Sequence, residues 1–309
     1  GQPCRTTCKP WRADSEGGRA IWHDSGGSQA QAFWIAVLPF THSGADPELE
    51  SFAEGLAEAI NGGLAKFPYL SVVSSSSTRR FQAQASDGRA VGEQLGARYV
   101  LEGGIRKGAS ALRVNVQLVD TQTGAHLWAE TYNRDLKGSD IFAVQDGITG
   151  RVVATVADSY GVLVRSMTAA IQQKADPELS PSEWLFQYFA YRQQLSPPAH
   201  TAMKERLERA VERDAGQSDL WACLAQVYTD EHAFGFRTDV TSLDRALAAA
   251  RRAVELDRAN QLGMVSLAQA YFFRRDLAAF RPAAEQAMAL NPLNTDALGI
   301  LGLLITYTG

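Results

Sequence analysis

The chain has 309 residues, of which 45% are hydrophobic and 21% charged, so it has a globular composition and enough length for two domains. Its net charge is −4 and its basic residues are interleaved with acidic ones, which argues against direct binding of nucleic-acid phosphates. Only three cysteines occur and no disulfide framework is implied, so we predict a cytoplasmic protein in a reducing compartment. The longest apolar runs are too short to cross a bilayer.

Residues 1–32 carry scattered Gly, Ser, Gln and Arg with no apolar period of 2 or 3.6, which predicts a linker or disordered lead joined to something upstream. Cys4, Cys8 and His23 lie in this lead. A tetrahedral zinc site needs a fourth ligand, and their spacing matches no common site. We therefore predict no metal and no cofactor.

A strand, a helix and a second strand are predicted next. The apolar run FWIAVLPF from Phe33 predicts a buried strand that its proline stops. Asp46 and Pro47 mark the start of a helix with large apolar residues at helical spacing. YLSVV, residues 69–73, predicts a strand parallel to the first. The serine run 74–77 has no sequence-linked His or acid to make it a nucleophile, and we interpret it as a loop.

Residues 99–132 predict three consecutive strands separated by two tight turns, because apolar and polar residues alternate along them. A helix that Gly96 stops precedes these strands, and a helix that Asp140 caps follows them. The apolar stripe of the capped helix comprises Ile141, Val144, Ile148, Val152 and Val156. The predicted fold class of residues 33–165 is therefore α/β, with a mixed sheet and flanking helices.

The polar side of the last two strands is the surface that we predict to bind a partner. Cross-strand charge pairing accounts for most of its polar residues, but large aromatic residues on a polar strand face are typical of interface anchors. The alternative is that a helix of the same domain covers the aromatic residues. The predicted face comprises Arg113, Gln117, His126, Trp128, Glu130 and Tyr132.

No catalytic motif is found in the sequence. Neither the phosphate-binding G-x-x-x-x-G-K-[ST] nor the nucleophile elbow G-x-S-x-G occurs. Gly103, Gly104 and Gly108 lie in a predicted strand and its turn, and the acids after Asp46 fit helix capping. We therefore predict that the chain is not an enzyme and has no catalytic residues.

The second half of the chain, residues 183–309, shows an internal helical repeat. The residues Trp221, Leu224, Ala225 and Tyr228 have a spacing that recurs at Met264, Leu267, Ala268 and Tyr271, and again at Leu298, Leu301, Gly302 and Ile305. The interval of 34 residues between the last two units is the tetratricopeptide (TPR) value, and the pattern resembles that family. It departs where Arg258 replaces the helix-ending proline and where EHAFGFRTD lengthens an inter-helix loop.

The rest of the second half completes this interpretation. An irregular helix pair is expected from about Glu183 to Arg213, and residues 166–182 are predicted as a polar connector. The sequence given stops at Gly309, within the first helix of a further repeat, so we expect the natural protein to continue. The predicted fold class of this half is an all-α, TPR-type helical array whose groove binds protein partners.

Residues 34–157 resemble the TolB amino-terminal-like domain. The resemblance rests on the successive segments IAVLPF, FAEGLAEAI, LGARYVLEGGIRK, RVNVQLVDTQTGAHLWAETYNRDL, IFAVQDGI and RVVATVA. In bacterial signalling proteins such a domain is commonly followed by TPR repeats and lies downstream of a class III adenylate cyclase, winged-helix or serine/threonine kinase domain. The family's motifs carry no catalytic residues that could be transferred to this chain.

The resemblance implies a non-catalytic regulatory and protein-interaction module of a bacterial signalling protein. Two alternatives stay open: the regulatory tail of a class III adenylate or guanylate cyclase, and the effector half of a winged-helix transcriptional regulator. The sequence does not identify the output domain, the partner or the oligomeric state.

Overall fold

The computed structural model describes residues 34–44, 46–81, 88–136, 140–172, 174–236 and 241–308, all within one compact unit. The strands are β1 (Trp34–Val37), β2 (Thr41–His42), β3 (Ser71–Val72), β4 (Tyr99–Lys107), β5 (Ala111–Asp120) and β6 (His126–Asp135). The helices are α1 (Pro47–Leu64), α2 (Ser75–Thr78), α3 (Gly88–Leu95), α4 (Ile141–Ala157), α5 (Val162–Ile171), α6 (Pro181–Gln193), α7 (Pro197–Arg213), α8 (Ser218–Ala233), α9 (Ser242–Leu256), α10 (Gln261–Phe273), α11 (Leu277–Leu290) and α12 (Thr295–Thr306). The predicted lead, with Cys4, Cys8 and His23, lies outside the described residues.

The strands form one mixed sheet in the order β3-β1-β4-β5-β6, with β2 paired to the far end of β4. β1 is parallel to β3 and β4, whereas β4, β5 and β6 form an antiparallel meander. The predicted α/β class, the parallel pairing and the three-strand meander are therefore confirmed. The two-residue strand β2 was not predicted, because a run so short leaves no alternation to detect.

Helices cover both faces of the sheet. The Asp46 carboxylate accepts hydrogen bonds from the backbone N–H groups of Glu48 and Leu49, which starts α1 at the predicted residue. α1 and α4 share a core with the sheet residues Leu112, Val114, Val116 and Leu118, and we call this side the helix-covered face. A smaller core under α2 and α3 lies on the opposite side. Of the stripe predicted for α4, only Ile141 is exposed, at 40%.

The serine run after β3 is helical and not the predicted loop. Residues Ser75–Thr78 form α2, with Ser74 as the N-cap residue. Thr78 is buried at the end of this turn, and its hydroxyl donates a hydrogen bond to the Ser75 carbonyl. The small side chains therefore form a compact helical turn over the edge of the sheet.

Helices α6 to α12 form an array in which successive helices pack on one another. α8 contacts both α9 and α10, and α10 in turn contacts α11 and α12. The helical class predicted for this half is confirmed, whereas its assignment to the TPR family stays a prediction. The stretch predicted as a connector, residues 166–182, contains most of α5 and a short 3-10 turn, Asp176–Glu178. Among the described residues, no helix combines the length and the apolar character that crossing a membrane would require.

Several contacts join the array to the α/β half, including a hydrogen bond from Asn291 Nδ2 to the Lys66 carbonyl and the following two. At the first, the Tyr69 ring lies edge-on to Phe186 and Phe189 of α6, with ring centroids 5.7 and 5.6 Å apart. At the second, the Ser159 hydroxyl donates a 2.8 Å hydrogen bond to Asp296 at the start of α12. A single hydrophobic core runs from the sheet through α6 to α9. The two halves are therefore packed together.

The paired glycines of β4 differ in the space around them, and this predicts a large effect of substitution at Gly103 and a small one at Gly104. A Cβ atom at Gly103 would overlap the backbone oxygen of Asn115 and lie 2.6 Å from Cε1 of Phe40, whereas one at Gly104 would lie 3.0 Å from the Thr41 hydroxyl. We expect Gly103→Ala to lower the free energy of unfolding by about 1–3 kcal/mol. We expect Gly104→Ser to change it by less than about 0.5 kcal/mol. Urea denaturation measures both changes, and equal losses would contradict this account of β4.

Candidate functional site

The six residues predicted to form one partner-binding face lie on two opposite faces of the sheet. Directly opposite residues of an antiparallel pair point to the same side. Trp128 and Tyr132 stand opposite Leu118 and Val114, so they belong to the helix-covered face, and Glu130 between them does too. Tyr132 is 2% exposed. The prediction that the six residues share one face was therefore wrong. The alternative, in which a helix of the same domain covers the aromatic residues, is correct for Tyr132.

His126 lies with Arg113 and Gln117 because of a β-bulge. The register shifts between Leu118 and Val119, so His126 stands opposite Val119 although Trp128 stands opposite Leu118. One extra residue in β6 therefore reverses the side to which His126 points. Strict alternation along the sequence placed His126 and Trp128 together, and a bulge leaves no sign in that pattern.

The opposite side of β5 and β6, which we call the polar face, has its side chains paired across strands. The Arg113 Nε–H donates to Asn133 Oδ1 at 2.9 Å, and the Thr131 hydroxyl donates to Asn115 Oδ1 at 2.9 Å. Gln117 Nε2 donates to Glu102 Oε1 at 2.6 Å. These bonds account for the polar side chains as a cross-strand ladder. A partner at this face stays a prediction.

A second candidate site is a cleft of about 90 Å³ between the two halves. One wall is built by α6, α8, α10 and α12, and the other by Phe67–Tyr69 and Ser159–Tyr160 of the α/β half. This volume equals the share of about three water molecules in the liquid. It is well below the roughly 300–1,000 Å³ of a pocket for a drug-sized ligand. The cleft therefore suits a small polar group or a side chain that enters from outside.

Two buried glutamines present hydrogen-bonding groups to the cleft. Gln226 Nε2 donates to Gln269 Oε1 at 2.6 Å and to the Ser266 hydroxyl at 3.0 Å. Gln226 Oε1 and Gln269 Nε2 make no hydrogen bond to any described residue, although both side chains line the cleft. A carboxamide oxygen accepts and a carboxamide nitrogen donates. The pair is therefore complementary to an amide that offers one donor and one acceptor.

Charged groups stand around these amides. The Arg192 guanidinium donates a 2.7 Å hydrogen bond to Asp230 Oδ1, and its other N–H groups bond to no residue within the described ranges. The nearby Tyr188 hydroxyl, followed by the Asp230 carboxylate, raises the pKa of Arg192 in spite of its burial. Burial raises the pKa of Asp219, although a hydrogen bond from Asn260 opposes this. The cleft thus combines a fixed cation with a carboxyl group that resists ionisation.

A buried polar network continues from Arg192 into the array. The Tyr191 hydroxyl bonds both Asp230 Oδ2, at 3.1 Å, and His200 Nδ1, at 3.0 Å. Glu231 is 0% exposed and lies 3.8 Å from His200 Nε2. It accepts hydrogen bonds of 2.9 Å from Lys204 Nζ and from the Ser242 hydroxyl. The network fixes the positions of α6, α7, α8 and α9 relative to one another.

Sequence reasoning missed this network because EHAFGFRTD was interpreted as a loop. Helix α8 extends to Ala233, so Glu231 lies within it. A usable signal was present, since Glu231 follows Leu224 and Tyr228 at helical spacing and so continues the buried stripe. A charged residue on such a stripe requires a buried partner.

The part of the chain that the structure describes contains neither a metal-binding cluster nor an exposed thiol. In those ranges, no group of three or more His, Cys, Asp or Glu residues is arranged to hold a metal ion. Cys223 is buried, and burial raises the pKa of its thiol well above the ordinary value. A thiol in this state is a packing residue and not a nucleophile.

The chain is similar in part to a family of transcriptional regulators and to a protein named as an adenylate cyclase. Residues 30–151 match the family described as HilA/YgeH-like transcriptional regulator, second domain. The chain is also 33% identical over 248 residues to a protein of Rhizobium meliloti (strain 1021) named "Putative adenylate cyclase 3". That alignment covers 79% of this chain and 41% of the relative. The chain therefore spans less than half the length of that relative.

Solved structures show weaker likenesses. TolB from Acinetobacter baumannii is 22% identical, with a TM-score of 0.28, over 40% of this chain and 27% of that one. The PelC dodecamer from Paraburkholderia phytofirmans is 17% identical, with a TM-score of 0.30, over 42% of this chain and 91% of that one. TM-scores this low carry no inference about function.

Proposed function

We propose that this chain is a non-catalytic regulatory and protein-interaction module of a bacterial signalling protein that acts in the cytoplasm. The similarity to a protein named as an adenylate cyclase extends over 79% of the chain. The similarity to a transcriptional-regulator family covers residues 30–151. Both relatives are named for signalling or regulation, and this shared feature supports the proposal.

The observation that carries the proposal is the composition of the cleft between the two halves. Its free donor and acceptor, Gln269 Nε2 and Gln226 Oε1, match the two hydrogen-bonding groups of a peptide or side-chain amide. Its walls come from the array and from the corner at Tyr69, so a bound segment contacts both halves at once. A segment held in this way is bound by residues of both packed halves, and this suits a protein-interaction site.

The proposal includes a TPR-type array. The first helix of each proposed pair contributes to the cleft wall, whereas the second helices α9 and α11 do not. Ala225 and Ala268 are fully buried where neighbouring helices approach closely. Small residues at such positions are typical of helical repeats that stack into a concave binding surface.

Selection of peptides tests the binding site. A displayed library of random dodecapeptides is enriched on the purified chain, and synthetic versions of the enriched peptides are titrated by fluorescence anisotropy. We expect Gln269→Met to weaken binding about tenfold, because one hydrogen bond is lost and its partner on the peptide is left unsatisfied. The matched control is Gln117→Met, which makes the same substitution on the polar face of the sheet. If only Gln117→Met weakened peptide binding, the binding site would lie on the polar face and not in the cleft. Failure to enrich any peptide would contradict the proposal.

A second candidate is the regulatory tail of a class III cyclase, favoured by the adenylate cyclase relative. A third is the effector half of a winged-helix regulator, favoured by the family match. The coding sequence beside this chain distinguishes them, since a cyclase domain and a basic winged helix are each recognisable. In every case we expect the purified chain to form no cyclic nucleotide from ATP or GTP with Mg²⁺ or Mn²⁺, and measurable product would overturn the non-catalytic proposal.

A further inference from the structure

Strand β6 forms one edge of the sheet and has ten residues. On its outer side no strand of the described ranges pairs with it. Long unpaired edges are templates for pairing with another chain, and proteins normally shorten, bend or cover them. The bulge of β6 lies at its beginning, so the stretch from Trp128 to Asp135 keeps a regular register.

The hydrogen-bond pattern determines which backbone groups face outward. Leu136, just after β6, donates its N–H to the Ser110 carbonyl at 2.9 Å, so Leu136 and every second residue before it point toward β5. The intervening residues Ala129, Thr131 and Asn133 therefore direct their N–H and C=O groups away from the sheet. All three are exposed. The three residues therefore provide three backbone N–H donors and three backbone C=O acceptors along the outer edge of β6.

The side chains of β6 favour a second copy of the same strand as the occupant. In an antiparallel, two-fold pairing centred on Tyr132, Glu130 stands opposite Arg134 of the partner subunit, and symmetry makes this ion pair twice. Centring on Glu130 or on Arg134 places like charges opposite each other. If the pairing is centred on Thr131 or on Asn133, Glu130 and Arg134 each stand opposite an uncharged side chain. One register is therefore selected by charge.

The same register satisfies the outward backbone groups. Thr131 stands opposite Asn133 of the partner subunit, and both residues point their backbone groups outward. In the single chain, Arg134 donates a 3.0 Å hydrogen bond to the Asn133 carbonyl, and Glu130 accepts one of 3.1 Å from the Tyr132 hydroxyl. The Asn133 carbonyl has a second lone pair for a neighbouring strand, so Arg134 does not block the pairing.

We infer that two copies of this chain associate through antiparallel pairing of their β6 strands about Tyr132, which makes one continuous sheet across the dimer. This inference does not rest on the proposed function, since the cleft lies at the other side of the α/β half. Symmetric dimers are the commonest oligomers of soluble proteins, and their interfaces must be self-complementary. The charge pattern of β6 meets that requirement.

Charge reversal tests the inference on the 309-residue chain. Sedimentation velocity at micromolar concentrations is expected to show a dimer for the wild type. Glu130→Arg and Arg134→Glu each place like charges opposite twice, and each is expected to weaken the dimer at least about tenfold. Mixing the two single variants restores opposite charges at both positions, so the mixture is expected to dimerise although neither variant does alone. Far-UV circular dichroism verifies that both variants fold.

The matched control is Arg113→Glu, a charge reversal on the polar face that is expected to leave the dimer unchanged. A monomeric wild type would overturn the inference, and the outer edge of β6 would then have to pair with a different partner or with none. A dimer insensitive to both single variants, or a mixture of them that stays monomeric, would overturn it as well. Hydrogen exchange gives an independent readout, because the amides of Thr131 and Asn133 are expected to gain protection as the concentration rises.

Discussion

Replacing Lys204 with methionine is expected to lower the free energy of unfolding by about 3–5 kcal/mol, because it leaves the carboxylate of Glu231 buried without its cation. Glu231 is 0% exposed, and the 2.9 Å bond from Lys204 is its closest contact with a charged group. Methionine is similar in length to lysine and is apolar, so packing is largely retained. The loss measured by urea denaturation at pH 7 therefore reports the unpaired charge.

Two control variants isolate this effect. Arg252→Met removes an exposed ion pair with Glu255 and is expected to cost less than about 1 kcal/mol. The double variant Lys204→Met/Glu231→Leu removes both charges and is expected to recover most of the loss, because an apolar pair needs no buried counter-charge. If the double variant were as unstable as Lys204→Met, packing and not charge would be the cause.

The same variant has a predicted dependence on pH. Burial by itself raises the pKa of Glu231, but hydrogen bonds from Lys204 and Ser242 lower it below its ordinary value of 4.5. In the wild type the ionised carboxylate therefore adds stability above pH 4.5, and this is lost as the pH falls through the lowered folded-state value. Without Lys204, burial dominates and raises the pKa. The variant then gains stability as the pH falls toward 4.5, so the difference from the wild type is expected to shrink.

Features set by local chemistry were accessible from the sequence. The start of α1 follows from Asp46 and Pro47, and the start of α4 follows from Asp140, whose carboxylate accepts a hydrogen bond from the Phe142 N–H. The meander follows from the alternation in β5, whose apolar residues are buried as expected. In each case the determining residues lie within a few positions of one another, so the sequence alone contains the interaction.

The candidate sites depend on residues that are distant in sequence. Gln226 and Gln269 meet in the cleft only because α8 packs on α10, and no local pattern contains that contact. The bulge beside Val119 divided the predicted partner face, because a single extra residue reverses every side chain beyond it. The cleft and the true faces of the sheet therefore required coordinates, whereas the fold class did not.

The contact between Tyr69 and Phe186 predicts that the two halves unfold together. Phe186 is 0% exposed in α6, and Tyr69 belongs to the α/β half. Phe186→Ala is expected to lower the free energy of unfolding by about 3–5 kcal/mol, because it removes buried apolar atoms and leaves a cavity. Since one core runs from the sheet into the array, the loss is expected to reach both halves.

Native-state hydrogen exchange measures each half separately, through the amides of β5 and of α8. In Phe186→Ala we expect the opening free energies of both elements to fall by the same amount, because the two halves form one cooperative unit. Phe234→Ala is the matched control, since that ring is 52% exposed and its loss is expected to change stability by less than about 0.5 kcal/mol. A decrease confined to α8, with β5 unchanged, would show instead that the sheet half is stable without the array. The packed interface would then be a docking contact that a ligand in the cleft could open or close.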